Sequence, residues 1–302
     1  MRARFLIVFA CAIAGAIPQS AGAASLLPPR GKVFTGVAMG YELSDFVRRT
    51  GHRPAVWEQF VSWNHSYRWA IQLAEQAGTR LMLALSTAPG QDQAGSISPA
   101  AIAAGRGDRW LLALRDDIEA FGGPVYLRFL GEMNNCHNAY APMACTGASR
   151  GGAYSARAFV RAWRHVHDLM RGANVAMVWT PMTGGSPMVS SLDPSRFWPG
   201  RRYVDWIGTS FYSKFPRFDW LTGYYQRFAA RYRLPFMFAE WAMWENGDPG
   251  FVRGVLRWTR GHRRTRMLIY NQGKRTNGPF RLGQFPSAAG ALKTGLTGTL
   301  FQ

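Results

Sequence analysis

The stretch VYLRFLGEMNN, residues Val125–Asn135, combines a strand signal with two charges. Valine, tyrosine, leucine and phenylalanine favour strands, and the preceding FGGP is typical of a turn. Arg128 nonetheless lies in the middle of the run, and Glu132 lies near its end. Because a buried charge is costly unless it is paired, this stretch predicts a core strand that carries charged groups to a site.

Seven further apolar runs of similar length occur, and helical patterns or long connecting segments separate most of them. Parallel strands need such crossover connections, and eight strands close a (β/α)8 barrel. We therefore predict an α/β fold, a (β/α)8 TIM barrel, formed by residues 24–302 as a single domain. The rival is an open doubly wound sheet, but no Gly-rich phosphate fingerprint follows the first strand. The predicted strands are Val33–Met39, Ala55–Trp63, Arg80–Ser86, Val125–Glu132, Asn174–Pro181, Val204–Tyr212, Pro235–Ala242 and Arg266–Gln272.

The first 23 residues have the pattern of a secretory signal. A basic start is followed by an apolar run from Phe5 to Ile17, and Ala21–Ala23 suits signal peptidase. The apolar run is short for a membrane span. We expect a cleaved signal peptide at residues 1–23 and a secreted protein, either extracellular or periplasmic, with no membrane association after cleavage. An uncleaved membrane anchor is the alternative.

Two cysteines, Cys136 and Cys145, remain once the signal is removed. An oxidising compartment favours a disulfide between them, which would close a short loop directly after Glu132. Two free thiols are the alternative. We predict no metal site, because His137 is the only other good ligand nearby, and we predict no cofactor.

The chain has 302 residues, 47% of them hydrophobic, which is enough for the core of one large barrel. It carries 36 lysines and arginines against 17 acidic residues, a formal net charge of +19. Such a charge could attract nucleic acid or acidic polymers. The arginines are scattered, however, and no nucleic-acid-binding motif is recognisable. We therefore predict no nucleic-acid partner, and we expect a monomer.

Two glutamates lie at the ends of predicted strands. Glu132 ends the fourth strand, and Glu240 lies near the end of the seventh. In a (β/α)8 barrel, reactive groups gather at the C-terminal ends of the strands, where these two carboxylates can converge. Two opposed carboxylates in a cleft are what cleavage of a glycosidic bond requires.

The stretch YLRFLGEMNN resembles the acid/base motif of glycoside hydrolase family 26, the β-mannanase family in a clan of retaining glycosidases with (β/α)8 barrels. The family pattern runs Arg, three residues, Glu, Met, Asn, and Arg128, Glu132, Met133 and Asn134 match it. The segments YVDWIGTSFY and PFMFAEWA are similar to the sixth strand and the nucleophile strand of that family. The likeness covers most of the mature chain, with its motifs in the family's order.

This resemblance implies a retaining endo-acting hydrolase with a polysaccharide substrate, β-1,4-mannan by default. Glu132 is then the general acid/base and Glu240 the nucleophile, with carboxyl groups about 5–5.5 Å apart. The resemblance also implies that Tyr212 donates a hydrogen bond to the nucleophile. The family usually has His directly before the acid/base Glu, and this chain has Gly131. Another β-linked or acidic polysaccharide therefore stays open as the substrate.

Other residues near the strand ends are candidates for substrate binding, each with a structural alternative. Arg128 either supports catalysis or forms a buried ion pair with Glu240 or Glu58. The tryptophans either stack on sugars or fill the core, and the asparagine either binds sugar hydroxyls or forms a turn. The substrate-binding candidates are Arg128, Asn134, Trp179, Tyr212, Trp241, Trp63 and Tyr270.

A second hypothesis is a barrel that binds a polysaccharide without cleaving it. The retention of Glu132 and Glu240 counts against this hypothesis, and Gly131 counts mildly for it. A salt bridge that occupies Glu240 would also favour the binding protein.

Overall fold

Eight parallel strands pair in chain order, and the eighth pairs with the first, so the sheet closes into a barrel. The computed structural model describes residues 26–39, 43–275 and 277–302. Each predicted strand overlaps one observed strand, which confirms the (β/α)8 barrel. The strands are β1 Phe34–Ala38, β2 Val56–Ser62, β3 Arg80–Ser86, β4 Val125–Phe129, β5 Val175–Trp179, β6 Trp206–Tyr212, β7 Phe236–Ala242 and β8 Thr265–Asn271.

Helices connect successive strands and cover the outside of the barrel. The α-helices of the described ranges are α1 Ser44–Thr50, α2 Arg68–Ala77, α3 Pro99–Ala103, α4 Asp108–Phe121, α5 Ala156–Leu169, α6 Phe218–Tyr225, α7 Pro249–Gly261 and α8 Pro286–Gly295. A π-helical turn, Gln226–Ala230, extends α6. Short 3-10 turns are Gly152–Tyr154, Ser190–Leu192, Pro194–Phe197, Arg201–Tyr203 and Leu282–Gln284.

Local sequence signals explain several helix ends. The side chain of Ser155 accepts a hydrogen bond from the amide of Ala158 at 3.2 Å and so caps the start of α5. Gly78 and Gly122 follow α2 and α4 in the left-handed conformation, with φ of 62° and 66°, which ends a helix at little steric cost.

Alternation along the strands divides the core into two parts. One set of side chains faces the barrel axis and includes Met82, Tyr126, Trp206 and Met237. The other set packs between the strands and the surrounding helices, and it includes most of the large aromatic residues. The ring of Tyr126 meets that of Trp206 edge to face, with centroids 5.7 Å apart, and together they help fill the interior.

Strand β7 contains one residue more than its neighbours at the position of Ala239. Thr209 of β6 pairs with Phe238, but the next residue, Ser210, pairs with Glu240. The register with β8 shifts over the same residues. Such a bulge re-aims side chains locally. Strict alternation would place Glu240 on the outer face with Phe238, and the extra residue turns Glu240 toward the barrel interior.

The described ranges were searched for helices that could cross a membrane. No helix there is long and apolar enough to cross a membrane. The predicted signal peptide at residues 1–23 lies outside the described residues.

Candidate active site

The chain turns sharply between β4 and Glu132. The strand ends at Phe129, three residues before the end predicted from the sequence. Leu130 and Glu132 both adopt the left-handed backbone conformation, with φ of 46° and 52°, which costs about 1–3 kcal/mol for each such residue. The amide of Glu132 donates to the carbonyl of Thr180 at 2.7 Å, which holds the turn beside the end of β5. The prediction that Glu132 ends a strand is therefore wrong in detail, because a strained turn presents it.

Side chains of the following loop fix the position of Glu132, which is partly exposed. Asn135 Nδ2 donates to Glu132 Oε2 at 2.9 Å. Asn138 Nδ2 donates to the carbonyl of Glu132 at 2.9 Å, and the hydroxyl of the buried Tyr140 donates to the carbonyl of Gly131. The carboxyl group thus has a defined orientation and still reaches solvent.

Hydrogen bonds and an ion pair hold both oxygens of Glu240, which is 8% exposed. The Tyr212 hydroxyl donates to Oε2 at 2.7 Å, as the family resemblance implied. Asn271 Nδ2 donates to the same oxygen at 2.7 Å and to the Tyr212 oxygen at 3.0 Å. Arg128 Nη1 contacts Oε1. A positive charge and two donors favour the ionised form of a carboxyl group, which is the form that a nucleophile requires.

Arg128 lies inside the barrel and pairs with both of the acids considered from the sequence. Its Nη1 atom bridges Glu240 and Glu58, with 3.2 Å to Glu58 Oε1. Its Nε atom donates to Thr180 Oγ1 at 3.0 Å, and Nη2 donates to Ser210 Oγ at 3.3 Å. Burial acts to lower the pKa of Arg128, but the charges of the surrounding glutamates outweigh it and raise that pKa, so the guanidinium stays charged.

Glu58 is the most deeply buried carboxyl group of this cluster, with 0% exposure. Burial raises its pKa to about 8, and the negative charges of Glu240 and Glu132 contribute, while Arg128 opposes the shift. One guanidinium therefore faces two buried carboxyl groups, and Glu58 is the one that keeps a proton at neutral pH.

Glu58→Gln should flatten the pH dependence of stability. The folded protein keeps the Glu58 proton up to about pH 8, whereas an unfolded chain loses it near about pH 4.3. Between these values the folded state binds one proton more. The free energy of unfolding therefore falls as pH rises, by up to about 1.4 kcal/mol per pH unit. The amide of glutamine does not titrate, so the variant lacks this contribution.

The measurement is the thermal unfolding midpoint at pH 5 and at pH 8. Glu119→Gln is the control, because Glu119 lies on α4 with 48% of its side chain exposed. An equal decrease between the two pH values in wild type and Glu58→Gln would contradict a protonated Glu58.

Glu132 and Glu240 act electrostatically on the same two phenols. Burial and then the charges of Glu240 and Glu132 raise the pKa of Tyr212. Burial and the charges of the same two glutamates also raise the pKa of Tyr140. Both carboxyl groups thus lie close enough to Tyr140 and Tyr212 to raise the pKa of each phenol.

Gly131 lies where the resembling family has a histidine. A Cβ atom at this position would lie 2.6 Å from Arg128 Nε and 3.0 Å from Thr180 Oγ1. The guanidinium of Arg128 therefore fills the space that a side chain would need. The observed position of Arg128 therefore requires glycine at position 131.

Four aromatic residues expected to bind substrate lie in the core instead. The rings pack between the strands and helices and have at most 3% exposure: Trp63, Trp179, Trp241 and Tyr270. Trp179 Nε1 donates to the Phe197 carbonyl at 3.0 Å, and Trp241 meets Tyr270 edge to face at 5.1 Å. Alternation explains the difference, because Trp179 shares the outer face of β5 with Met177.

Asn134 also has a structural position rather than an exposed one. Its side chain is fully buried, and Nδ2 donates to the carbonyls of Met182 and Leu192 at 3.0 Å each. The Met182 amide donates to Asn134 Oδ1 at 2.8 Å. Asn134 therefore joins the loop after β4 to the loop after β5, and its amide is not available to sugar hydroxyls.

The structure contains the predicted disulfide between Cys136 and Cys145, with Cα atoms 4.9 Å apart. The two sulfur atoms and a His137 ring nitrogen lie within 4.8 Å of one another. Bonded to each other, however, the sulfurs are not thiolate ligands, and His137 Nδ1 contacts Asp92 at 2.8 Å. The bridge closes the loop that follows Glu132.

Several residues of the site were missed from the sequence. Asn271, Ser210 and Asn135 contact Glu240, Arg128 and Glu132 respectively. Asn271 is the last residue of β8, and a polar residue at the C-terminal end of a barrel strand was an available signal. Ser210 and Asn135 gave no comparable signal.

Comparison with protein-family models and with curated proteins gives no match for this sequence. Comparison with solved structures finds mannanases that share the fold. A mannanase of Bacillus subtilis has a TM-score of 0.64 at 16% identity, with 91% of this chain and 87% of that chain covered. A family 26 β-mannanase of Bacteroides ovatus has a TM-score of 0.64 at 14% identity, with 90% of each chain covered.

The catalytic domain of a family 26 endo-β-1,4-mannanase from a Bacillus species has a TM-score of 0.62 at 15% identity. That comparison covers 90% of this chain and 87% of the other. This protein thus shares its fold with these mannanases, over 90–91% of its own length and 87–90% of theirs.

Proposed function

We propose that this protein is a retaining glycoside hydrolase of the family 26 type that cleaves a β-linked polysaccharide, with β-1,4-mannan as the first candidate. Glu132 acts as general acid/base and Glu240 as nucleophile. The observation that carries the proposal is the contrast between these carboxyl groups. Glu240 is bound to Arg128, Tyr212 and Asn271, whereas no cation pairs with Glu132 among the described residues.

In the first step, Glu132 donates its proton to the glycosidic oxygen as the bond from that oxygen to the anomeric carbon breaks. A carboxylate oxygen of Glu240 attacks the anomeric carbon from the opposite face, which gives a glycosyl ester. Arg128 and Asn271 hold Glu240 in place before the attack. The leaving chain departs with a new hydroxyl group.

In the second step, the deprotonated Glu132 accepts a proton from water. The water oxygen attacks the anomeric carbon, and the ester bond to Glu240 breaks, which restores both carboxyl groups. Two inversions give a product with the configuration of the substrate. Tyr212 stays protonated throughout, because its raised pKa keeps the hydroxyl as a donor to Glu240.

The test is the release of reducing ends from a polysaccharide panel. The panel contains galactomannan, glucomannan, mixed-linkage glucan, xylan and an acidic exopolysaccharide. Proton NMR of the first product then reports the anomeric configuration. Release from one β-linked substrate with retention of configuration supports the proposal, and inversion contradicts the double displacement.

Glu132→Ala should lower polysaccharide hydrolysis by about 10²–10⁴-fold, the usual contribution of a general acid. With a dinitrophenyl glycoside as substrate, the dinitrophenolate leaves without protonation. The first step on this substrate should therefore be slowed far less. Added azide should replace the water that Glu132 activates and give a glycosyl azide of retained configuration. The measurement compares kcat/KM for both substrates, with Glu119→Ala as the control. Equal losses on both substrates would contradict the acid/base role.

The second candidate is a barrel that binds polysaccharide without turnover. The salt bridge between Arg128 and Glu240 is the observation that favours it, because both oxygens of Glu240 already have partners. The same contacts also keep a nucleophile ionised, so they do not exclude hydrolysis. Retention of the polysaccharides by the folded protein, with no release from any of them, would support this candidate.

Secretion, cleavage after residue 23 and the monomeric state stay predictions. Size-exclusion chromatography with light scattering of the secreted protein tests the last of them, and N-terminal sequencing tests the cleavage site.

A further inference from the structure

Exposed apolar side chains cluster on the segments that follow β5 and β6. The described part of the chain exposes six large apolar side chains, and three of them, Met188, Val189 and Trp220, line one cavity. Met188 is 66% exposed. A fourth, Phe215, lies in the loop that leads to α6. Exposed apolar side chains that line one cavity are typical of binding sites.

The cavity has a volume of about 370 Å³ and lies between the loop after β5 and helix α6. Ligand sites usually measure about 300–1,000 Å³ and combine apolar walls with a few polar groups. Trp220 supplies an aromatic wall, and Ser190 supplies a hydroxyl group. Arg217 stacks over the Trp220 ring at 4.8 Å and pairs with Asp219, which holds the ring in place.

The charged residues that line this cavity, as far as the structure describes it, are Asp193 and Arg227. They are bound to each other, because Arg227 donates to both oxygens of Asp193 at 2.7 and 3.1 Å. Arg227 in turn lowers the pKa of Asp193 to about 2. The wall therefore offers hydrogen-bonding groups without an unpaired charge.

The loop that forms one side of the cavity is attached to the segment that carries Glu132. Besides the side-chain bonds of Asn134, the Ser186 amide donates to the Asn134 carbonyl at 2.9 Å. The Cys136 amide donates to the Ser186 carbonyl at 2.8 Å. The position of the cavity is thus fixed relative to Glu132 by backbone hydrogen bonds.

One side of the cavity, with Met188 and Trp220, also lies at the same face of the barrel as the two carboxyl groups. Strands β5 and β6 lie between β4, which precedes Glu132, and β7, which carries Glu240. The loop after β5 and the start of α6 both leave the C-terminal ends of strands, where barrel enzymes bind their substrates.

We infer that this cavity is a carbohydrate subsite, separate from the bond-cleaving centre, that binds a neutral sugar unit of the same polysaccharide chain. The inference rests on the proposed function for the identity of that chain. The Trp220 ring meets the apolar face of a pyranose, and Ser190, Asp193 and Arg227 hydrogen-bond its hydroxyl groups. A uronic acid is disfavoured, because Arg227 already binds a carboxylate.

Trp220→Ala tests the subsite through the length of the substrate. We expect the ratio of kcat/KM on galactomannan to that on a short aryl mannoside to fall about tenfold, as loss of one aromatic contact implies. Trp69→Ala is the matched control, because Trp69 is 36% exposed and Trp220 is 37% exposed, and Trp69 lies at the start of α2. An unchanged ratio in Trp220→Ala, or an equal fall in Trp69→Ala, would overturn the inference.

Calorimetry in the Glu240→Gln background measures binding without turnover. The affinity for mannohexaose should fall about tenfold when Trp220→Ala is added, and Trp69→Ala should not change it. Tighter binding of a galacturonic acid hexamer than of mannohexaose would overturn the neutral-sugar assignment. If no polysaccharide is hydrolysed but Trp220→Ala still weakens mannohexaose binding, the subsite holds and the proposed hydrolysis fails.

Discussion

Replacing Glu240 by glutamine is expected to lower polysaccharide hydrolysis by at least about 10⁴-fold, the scale seen when a covalent nucleophile is removed. The glutamine side chain has nearly the same size, and its amide oxygen still accepts from Tyr212 and Asn271. It cannot, however, form the glycosyl ester. The contacts with Tyr212 and Asn271 survive and the contact of Arg128 with Oε1 is lost, so the loss of activity should come without loss of the fold.

The charges around Arg128 also support the expectation that Glu240→Gln keeps its fold. Without a charge at position 240, Arg128 has Glu58 as its remaining ion-pair partner among the described residues. The pKa of Glu58 should then fall, since one of the negative charges that raises it is gone. Glu58 ionises and keeps Arg128 paired.

The measurement is kcat on the best substrate of the panel, together with the unfolding midpoint of each variant. Glu245→Gln is the control, because Glu245 lies in the loop after β7 with 58% of its side chain exposed and pairs with Lys214. Activity of Glu240→Gln above about one hundredth of wild type would rule out Glu240 as the nucleophile.

Arg128→Met is expected to destabilise the fold by about 3–5 kcal/mol, the usual cost of removing one member of a buried ion pair. Arg128 is 3% exposed, and its loss leaves Glu58 and Glu240 without a paired cation in the described part of the chain. The unfolding midpoint should fall by roughly 5–8 °C for a chain of this size.

Two further variants make this prediction specific. Arg115→Met removes an exposed ion pair on α4 and should cost less than about 1 kcal/mol. The double variant Arg128→Met/Glu240→Gln should recover part of the lost stability, because the carboxylate that loses its cation is also removed. If Arg128→Met were no more destabilising than Arg115→Met, the cluster would not hold the barrel interior together.

The barrel was predictable because its strands are short, apolar and separated by amphipathic helices. The charge at Arg128 also identified the strand that leads to the site, and the ion pair was among the alternatives considered. The outward direction of Trp179 was also predictable, because successive side chains of a strand alternate between its two faces. Met177 and Trp179 therefore share one face of β5. Expecting that ring to bind sugar gave the chemistry of tryptophan more weight than the strand's geometry.

The inward direction of Glu240 was not predictable in this way. Alternation alone places Glu240 with Phe236 and Phe238, on the face that packs against the helices. The extra residue Ala239 reverses this direction, and nothing in PFMFAEWA indicates a bulge. The turn before Glu132 likewise depends on the Thr180 carbonyl, 48 residues away in the chain. The sequence around Glu132 alone therefore could not predict it.

The four side chains bound by Arg128 lie between 52 and 112 residues away from it along the sequence. Glu58, Ser210 and Glu240 lie on β2, β6 and β7, and Thr180 follows β5. Asn271, which contacts Glu240, lies on β8. Contacts of such long range form late, because each requires a large loop to close first. No fragment of the chain holds a working part of this cluster. Recovery of the proposed hydrolysis during refolding would therefore report completion of the entire barrel rather than formation of any single βα unit.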